Sequence, residues 1–274
     1  MEAFARFERL FKTQKPVIAM VHLRALPGTP LYDEAGGVEA IVEAARADLA
    51  ALKAAGVDAV MFGNENDRPY ELEVDPASAA AMAYAIGRLR DELTLPFGVD
   101  VLWDPVLTMA VAAATGAAFA REIFTGLYGS DMGLWQGRAA EALRYRRRLG
   151  RDDLFLLYNV SAEFASPLDQ RSLPERAKSA VFSSLADAVL VSGPMTGEPA
   201  PLSHLQAVKE AVPEVPVLAN TGVNHENVAE VLALADGCVV GTALKVDGKT
   251  FNPVDEERAR AFMERVREVR AAWA

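Results

Sequence analysis

Two short turns late in the chain, Thr221-Gly222 and Gly241-Thr242, each follow an apolar run and set a glycine beside a hydroxyl, with Lys245 close behind. Glycines let backbone amides approach an anion, and a lysine adds charge, so these five residues suit a phosphate. Tight turning alone would also account for the glycines. Near the start of the chain, His22 ends the first apolar run, where an imidazole can move protons near neutral pH or simply bond its own loop. Glu65, Asp67 and Asp100 end the next two runs. They could act as acid and base, serve as oxygen ligands for a divalent cation, or be solvated and capping acids. Asn64, Asn66, Asn159, Ser192 and Asn220 offer amides and a hydroxyl at equivalent places, Arg121 a charge, and Trp103 a flat face for stacking or for closing a pocket. His204 and His225 lie near helix starts and read as surface or capping groups.

What the candidates share is their place at the ends of apolar runs. Residues 17–21, 58–62, 97–101, 117–120, 154–158 and 188–191 read as strands, the first a continuous apolar run and the fourth the weakest, with two more inside 216–245. Continuous apolarity marks a parallel strand buried on both faces. Helical patterns over 38–55, 76–93, 105–115, 138–149, 174–185, 202–212 and 255–272, and a run between Asn224 and Asp236, alternate with them, and Gly56 reads as a helix stop. Eight such units predict an α/β fold, a closed (β/α)8 TIM barrel, over a single domain of residues 1–274. No GxGxxG turn follows the first strand, as an open dinucleotide-binding sheet would show. Phe4, Phe7, Leu10 and Phe11 before Pro16 predict an N-terminal helix capping one barrel end. The site is expected at the carboxyl ends of the strands, with the helix-to-strand turns at the other end bland. The stretch 121–137, rich in glycine, reads as a long loop in which Trp135 is a mobile lid contact.

Composition narrows the partners. A formal net charge of −10 disfavours nucleic acid and anionic lipid, and no apolar run is long enough to span a membrane. One cysteine, Cys238, lies among valines and reads as a buried strand thiol, so a cytoplasmic, reducing location is expected. HExxH, GxSxG, Walker and cysteine-cluster spacings are all absent, which lowers zinc proteolysis, serine hydrolysis and P-loop chemistry. No cofactor is required by these residues. A homo-oligomer is compatible with a barrel, although no stretch demands one.

Residues 17–28 (VIAMVHLRALPG), 63–67 (GNEND), 220–223 (NTGV) and 241–249 (GTALKVDGK) resemble the BtpA/SgcQ family, and the likeness runs over essentially the whole chain. The resemblance implies a barrel similar to the ribulose-phosphate-binding group. It also implies two themes: a sugar-related enzyme and a factor for biogenesis of the photosystem I membrane complex. Where a phosphoribosylanthranilate isomerase carries a cysteine base and an aspartate acid, this chain has His22 and Ser192, so that particular reaction is not expected. The reading is an enzyme acting on a small phosphorylated sugar or nucleotide-like metabolite by acid/base chemistry, as an isomerase, epimerase or lyase. The alternative is a non-catalytic assembly factor or metabolite-binding scaffold.

Overall fold

A strand that is apolar at every position must be covered on both faces, and in the computed structural model, which describes residues 2–272, the strands meet that need by closing on themselves. The strands are β1 (Val17–His22), β2 (Ala59–Gly63), β3 (Phe97–Asp100), β4 (Phe119–Glu122), β5 (Leu127–Ser130), β6 (Gly133–Gln136), β7 (Phe155–Asn159), β8 (Ala165–Pro167), β9 (Ala188–Val191), β10 (Val217–Ala219) and β11 (Gly237–Val240). Eight of them run β1-β2-β3-β4-β7-β9-β10-β11 around a parallel barrel, and β11 returns to β1 with Cys238 opposite Val17. The helices are α1 (Glu2–Phe11), α2 (Gly37–Ala55), α3 (Pro76–Arg88), α4 (Pro105–Thr115), α5 (Ala139–Arg148), α6 (Leu173–Ser184), α7 (Leu202–Ala211), α8 (Val228–Leu234) and α9 (Glu256–Ala271). From α2 onward one helix follows each barrel strand, giving the (β/α)8 barrel that the sequence predicts.

Alternation along each strand makes two cores. Ile18, Met20, Met61, Phe119, Leu157, Leu190, Leu218 and Val239 point inward, whereas Val17, Ala19, Val60, Val99, Leu156 and Val189 face the helices. Gly98 sits where a side chain would strike the Phe119 ring, so the glycine makes room for that ring in the interior. Phe7 and Phe11 of α1 join the interior cluster and close one end of the barrel, which leaves the other end for chemistry.

The closed end is more structured than its short turns suggest. Asp58, Asp187 and Asp236 precede β2, β9 and β11, and their carboxylates accept from Val17 N, Leu156 N and Val217 N at the starts of neighbouring strands. Arg270, Arg6 and Lys209 pair with the three aspartates. The expected bland face is therefore a set of anchors for strand amides that would otherwise lack partners.

At the open end two further expectations change. β4 runs to Glu122 rather than Ala120, because Arg121 and Glu122 stay in register with Leu157 and Tyr158 of β7. The stretch read as a long loop folds as the hairpin β5-β6, which with β8 makes an antiparallel three-stranded sheet over the barrel mouth. Its inward residues Tyr128 and Trp135 bury against Trp103, Leu102 and Ile123, so Trp135 is part of a fixed apolar wall.

Candidate functional site

The mouth of the barrel holds a cavity of about 270 Å³, enough for one small metabolite. His22, Glu65, Trp103, Arg121, Asn220, Thr221, Gly222, Gly241 and Thr242 line it, so the structure brings nine of the sequence-predicted residues together. They come from six different barrel strands or the loops that follow them, a convergence that only closure of the sheet can produce.

His22 and Glu65 face each other, with Nε2 and Oε1 3.4 Å apart. His22 Nδ1 lies 3.1 Å from the Thr250 carbonyl, which can only accept, so the ring proton sits on Nδ1 and the Nε2 lone pair faces Glu65. Burial, reinforced by the charge of Lys245, pushes the imidazole down to about 3. Burial, reinforced by Asp100, pushes the Glu65 carboxyl up to about 8. At neutral pH the pair is thus a free base beside a loaded acid, the states required to take one proton and give another. Gly241 allows this geometry, because a side chain there would press on His22 Cε1 at 3.0 Å.

Beneath the cavity a single guanidinium holds several carboxyl groups. Arg121 Nη2 donates to Glu163 at 3.2 Å, Nη1 lies 3.3 Å from Asp100, and Nε reaches Asn159 at 3.4 Å. Burial alone would lower the Arg121 pKa, but Asp100 and Glu163 outweigh it and raise the value. Asp100 is pushed up to about 6, chiefly by burial, and neighbouring Glu122 rises well above its usual range for the same reason. Asp100 does not line the cavity; it lies behind Arg121, with its carboxyl 3.3 Å from Nη1 and against that of Glu122. Its reach to the substrate is therefore indirect. Asn159 and Ser192 are also set back: Ser192 Oγ accepts from Asn220 Nδ2 at 2.8 Å, and Glu163 Oε1 accepts from the same amide at 2.8 Å. This network fixes the Asn220 side chain at the cavity wall.

The other side of the cavity is built from turns after β9, β10 and β11. Thr221 and Gly222 both have positive φ, at 60° and 62°, and a side chain on Gly222 would meet Pro199 N at 2.1 Å. Thr221 Oγ1 accepts from Gly193 N and donates to the Glu198 carbonyl, so it ties this turn to the loop carrying Thr196 and Gly197. Gly241 leads into a 3-10 turn at Thr242–Leu244, whose first amides have no acceptor within the turn. Thr242 Oγ1 shares a hydrogen bond with Thr250.

Lys245 is not at this surface. It is 1% exposed, its ammonium donates to Asp48 of α2 at 2.8 Å, and it is absent from the cavity wall. The backbone bends after the 3-10 turn and carries the side chain between β11 and α2, so its charge reaches the site only through the field. Asn64, Asn66 and Asp67 also lie apart: Asn66 donates to the Leu23 carbonyl, Asp67 accepts from Leu26 N and Asn64 Nδ2, and Asn64 accepts from Leu102 N. These three tie together the loops after β1, β2 and β3, and Asn64 and Asp67 border a separate recess beside Pro30 and Ser78. Among the described residues no group of three or more His, Cys, Asp or Glu is arranged to hold a metal ion.

Sequence reasoning assigned no role to Tyr70, Glu163, Thr196, Gly197, Asn224 or Arg258, which also line the cavity. Glu163 carried a usable signal, since it lies four residues past the Asn159 strand end. Arg258 carried none, because it belongs to the first turn of α9 and not to any strand end.

The BtpA family model matches residues 13–268. The putative sgc region protein SgcQ of Escherichia coli K12 is 48% identical over 94% of this chain and 96% of its own length. The photosystem I biogenesis protein BtpA of Synechocystis is 34% identical over 94% of this chain and 90% of its own. Among solved structures, the phosphoribosyl anthranilate isomerase of Thermus thermophilus superposes with a TM-score of 0.54 at 17% identity, over 93% of this chain and 99% of that one. A native KDPGal structure does so with a TM-score of 0.56 at 20% identity, over 94% and 98%. Likeness at that level of identity concerns the barrel alone.

Proposed function

The chain belongs to the BtpA family, and on that footing we propose that it is an enzyme that moves a proton on a small phosphorylated sugar or nucleotide-like metabolite, as an isomerase, epimerase or lyase. The observation that carries this reading is the buried, opposed His22 and Glu65 pair, with Nε2 3.4 Å from Oε1 and Nδ1 facing the Thr250 carbonyl, a burial that favours the neutral imidazole and the protonated carboxyl. In the proposed step His22 Nε2 takes a proton from carbon next to a carbonyl while Glu65 gives its proton to the carbonyl oxygen, so that neither ion is left alone in a dry pocket. The turns at Thr221-Gly222 and Gly241-Thr242 would hold the phosphate, as loops after the last two strands commonly do in this fold. Asn220 and Trp103 would orient the remainder.

The test is solvent exchange. A panel of aldose and ketose phosphates incubated with the protein in D2O should yield one compound whose carbon-bound proton is replaced by deuterium, read by NMR, and His22→Gln should abolish the exchange. A compound that binds in the cavity and turns over at full rate in His22→Gln would sink the assignment.

A second reading, an assembly factor, rests on the likeness to the Synechocystis photosystem I biogenesis protein. The outer face of the β5-β6-β8 sheet, where Leu127, Leu134 and Leu168 are exposed, offers it a surface. Retention on a membrane complex in a pull-down that Leu134→Asp abolishes, together with no exchange on any panel member, would favour that reading.

A further inference from the structure

Anion binding in a pocket needs a cation that is not already spent, and the charges around this cavity differ in that respect. Lys245 is neutralised by Asp48. Arg121 is hemmed in by Asp100 and Glu163 on the opposite side. Arg258 also lines the cavity, beside Gly241, Thr242, Ala243 and Gly248. Its Nε donates to the Ala243 carbonyl at 3.2 Å, and its two terminal nitrogens have no hydrogen bond or ion pair among the described residues. A side chain on Gly248 would come within 3.3 Å of Nη2, so the glycine keeps that edge open. The placement also runs against local electrostatics: Arg258 sits in the first turn of α9, where the helix dipole favours acids and where Glu256 and Glu257 precede it. Arg258 and Glu226, the acid on the same wall, are both exposed at the rim, so solvent screens both charges and the fork geometry of the arginine carries the selection.

We infer that Arg258 is the residue that clamps the substrate's terminal phosphate, with its two free nitrogens on two phosphate oxygens and the amides of the Thr242 turn on the others. The role assigned from sequence to Lys245 passes to a residue on a helix. The inference rests on the phosphate reading of the cavity and adds to it a specific chemical demand, a phosphate monoester presented at the α9 side. An arginine fork matches such a group in a bidentate way that a lysine cannot.

Calorimetric titration with inorganic phosphate and with glycerol 3-phosphate tests it. The wild-type chain should bind both saturably, Arg258→Ala should weaken glycerol 3-phosphate at least tenfold, and Arg258→Lys should fall between them. Arg258→Gln keeps an amide able to reach the Ala243 carbonyl, so an equal loss in that variant excludes a disturbed turn as the cause. Wild-type affinity in Arg258→Ala would overturn the assignment and leave the phosphate reading intact. No saturable binding of either probe to the wild-type chain would overturn both.

Discussion

At the scale of residues, the mouth of the barrel is governed by which groups keep their protons. Because Glu65 titrates near 8 and His22 near 3, turnover should be flat across neutral pH and decline above about 8 as Glu65 loses its proton. Glu65→Gln should remove that alkaline limb and lower the rate by roughly 10²–10⁴, the usual worth of a positioned acid or base. A rate profile in which the limb survives in Glu65→Gln would assign it to another group. Lys245 belongs to a different account. Removing its ammonium leaves Asp48 buried beside Val254 N, so Lys245→Met should cost about 3–5 kcal/mol in denaturant melts. Phosphate affinity should stay within about twofold, because the lysine does not reach the cavity.

At the scale of elements, the hairpin β5-β6 decides how firm the site is. Trp135 packs on Trp103 with ring centroids 4.9 Å apart and is 2% exposed, so Trp135→Ala should destabilise the chain by about 3–5 kcal/mol. It should also raise KM more than it lowers kcat, since Trp103, which Trp135 supports, lines the cavity and is not part of the proton pair. An unchanged melting curve would mean that the hairpin can part from the barrel freely. This element was also the least legible in the sequence. The barrel strands announced themselves by unbroken apolar runs such as residues 17–21 and 188–191, and the end of α2 by Gly56, which does adopt the left-handed conformation there. The hairpin has the alternation of a strand for only four residues a side and glycines throughout, a pattern that local rules assign to a loop. Strand-end logic likewise found His22, Glu65 and Arg121, because closure of the sheet forces strand ends together. It could not find Arg258, which reaches the cavity from the flank of a helix, nor could it foresee that the bend after Thr242–Leu244 buries Lys245.

At the scale of the whole molecule, the acids under the mouth make stability depend on pH. Glu65 and Asp100 have folded values near 8 and 6 against ordinary values of 4.5 and 3.8. The folded chain therefore binds more protons than the unfolded chain between those limits, and stability falls as pH rises from about 4 to about 8. His22 has the opposite sign: its stabilising contribution is complete above 6.5 and is lost as pH falls towards 3. Thermal melts should show the decline toward pH 8 in the wild-type chain and a flatter curve in Glu65→Gln; an identical slope in both would refute the assignment of the buried proton to Glu65. The seam where the barrel closes supplies its own gauge. Cys238 is wholly buried between β1 and β10, and burial pushes its thiol up to about 12, so an alkylating reagent should leave the native protein unlabelled. Because the chain has one sulfhydryl, the rate at which that reagent reacts clocks how often the first and last strands part, without any engineered probe.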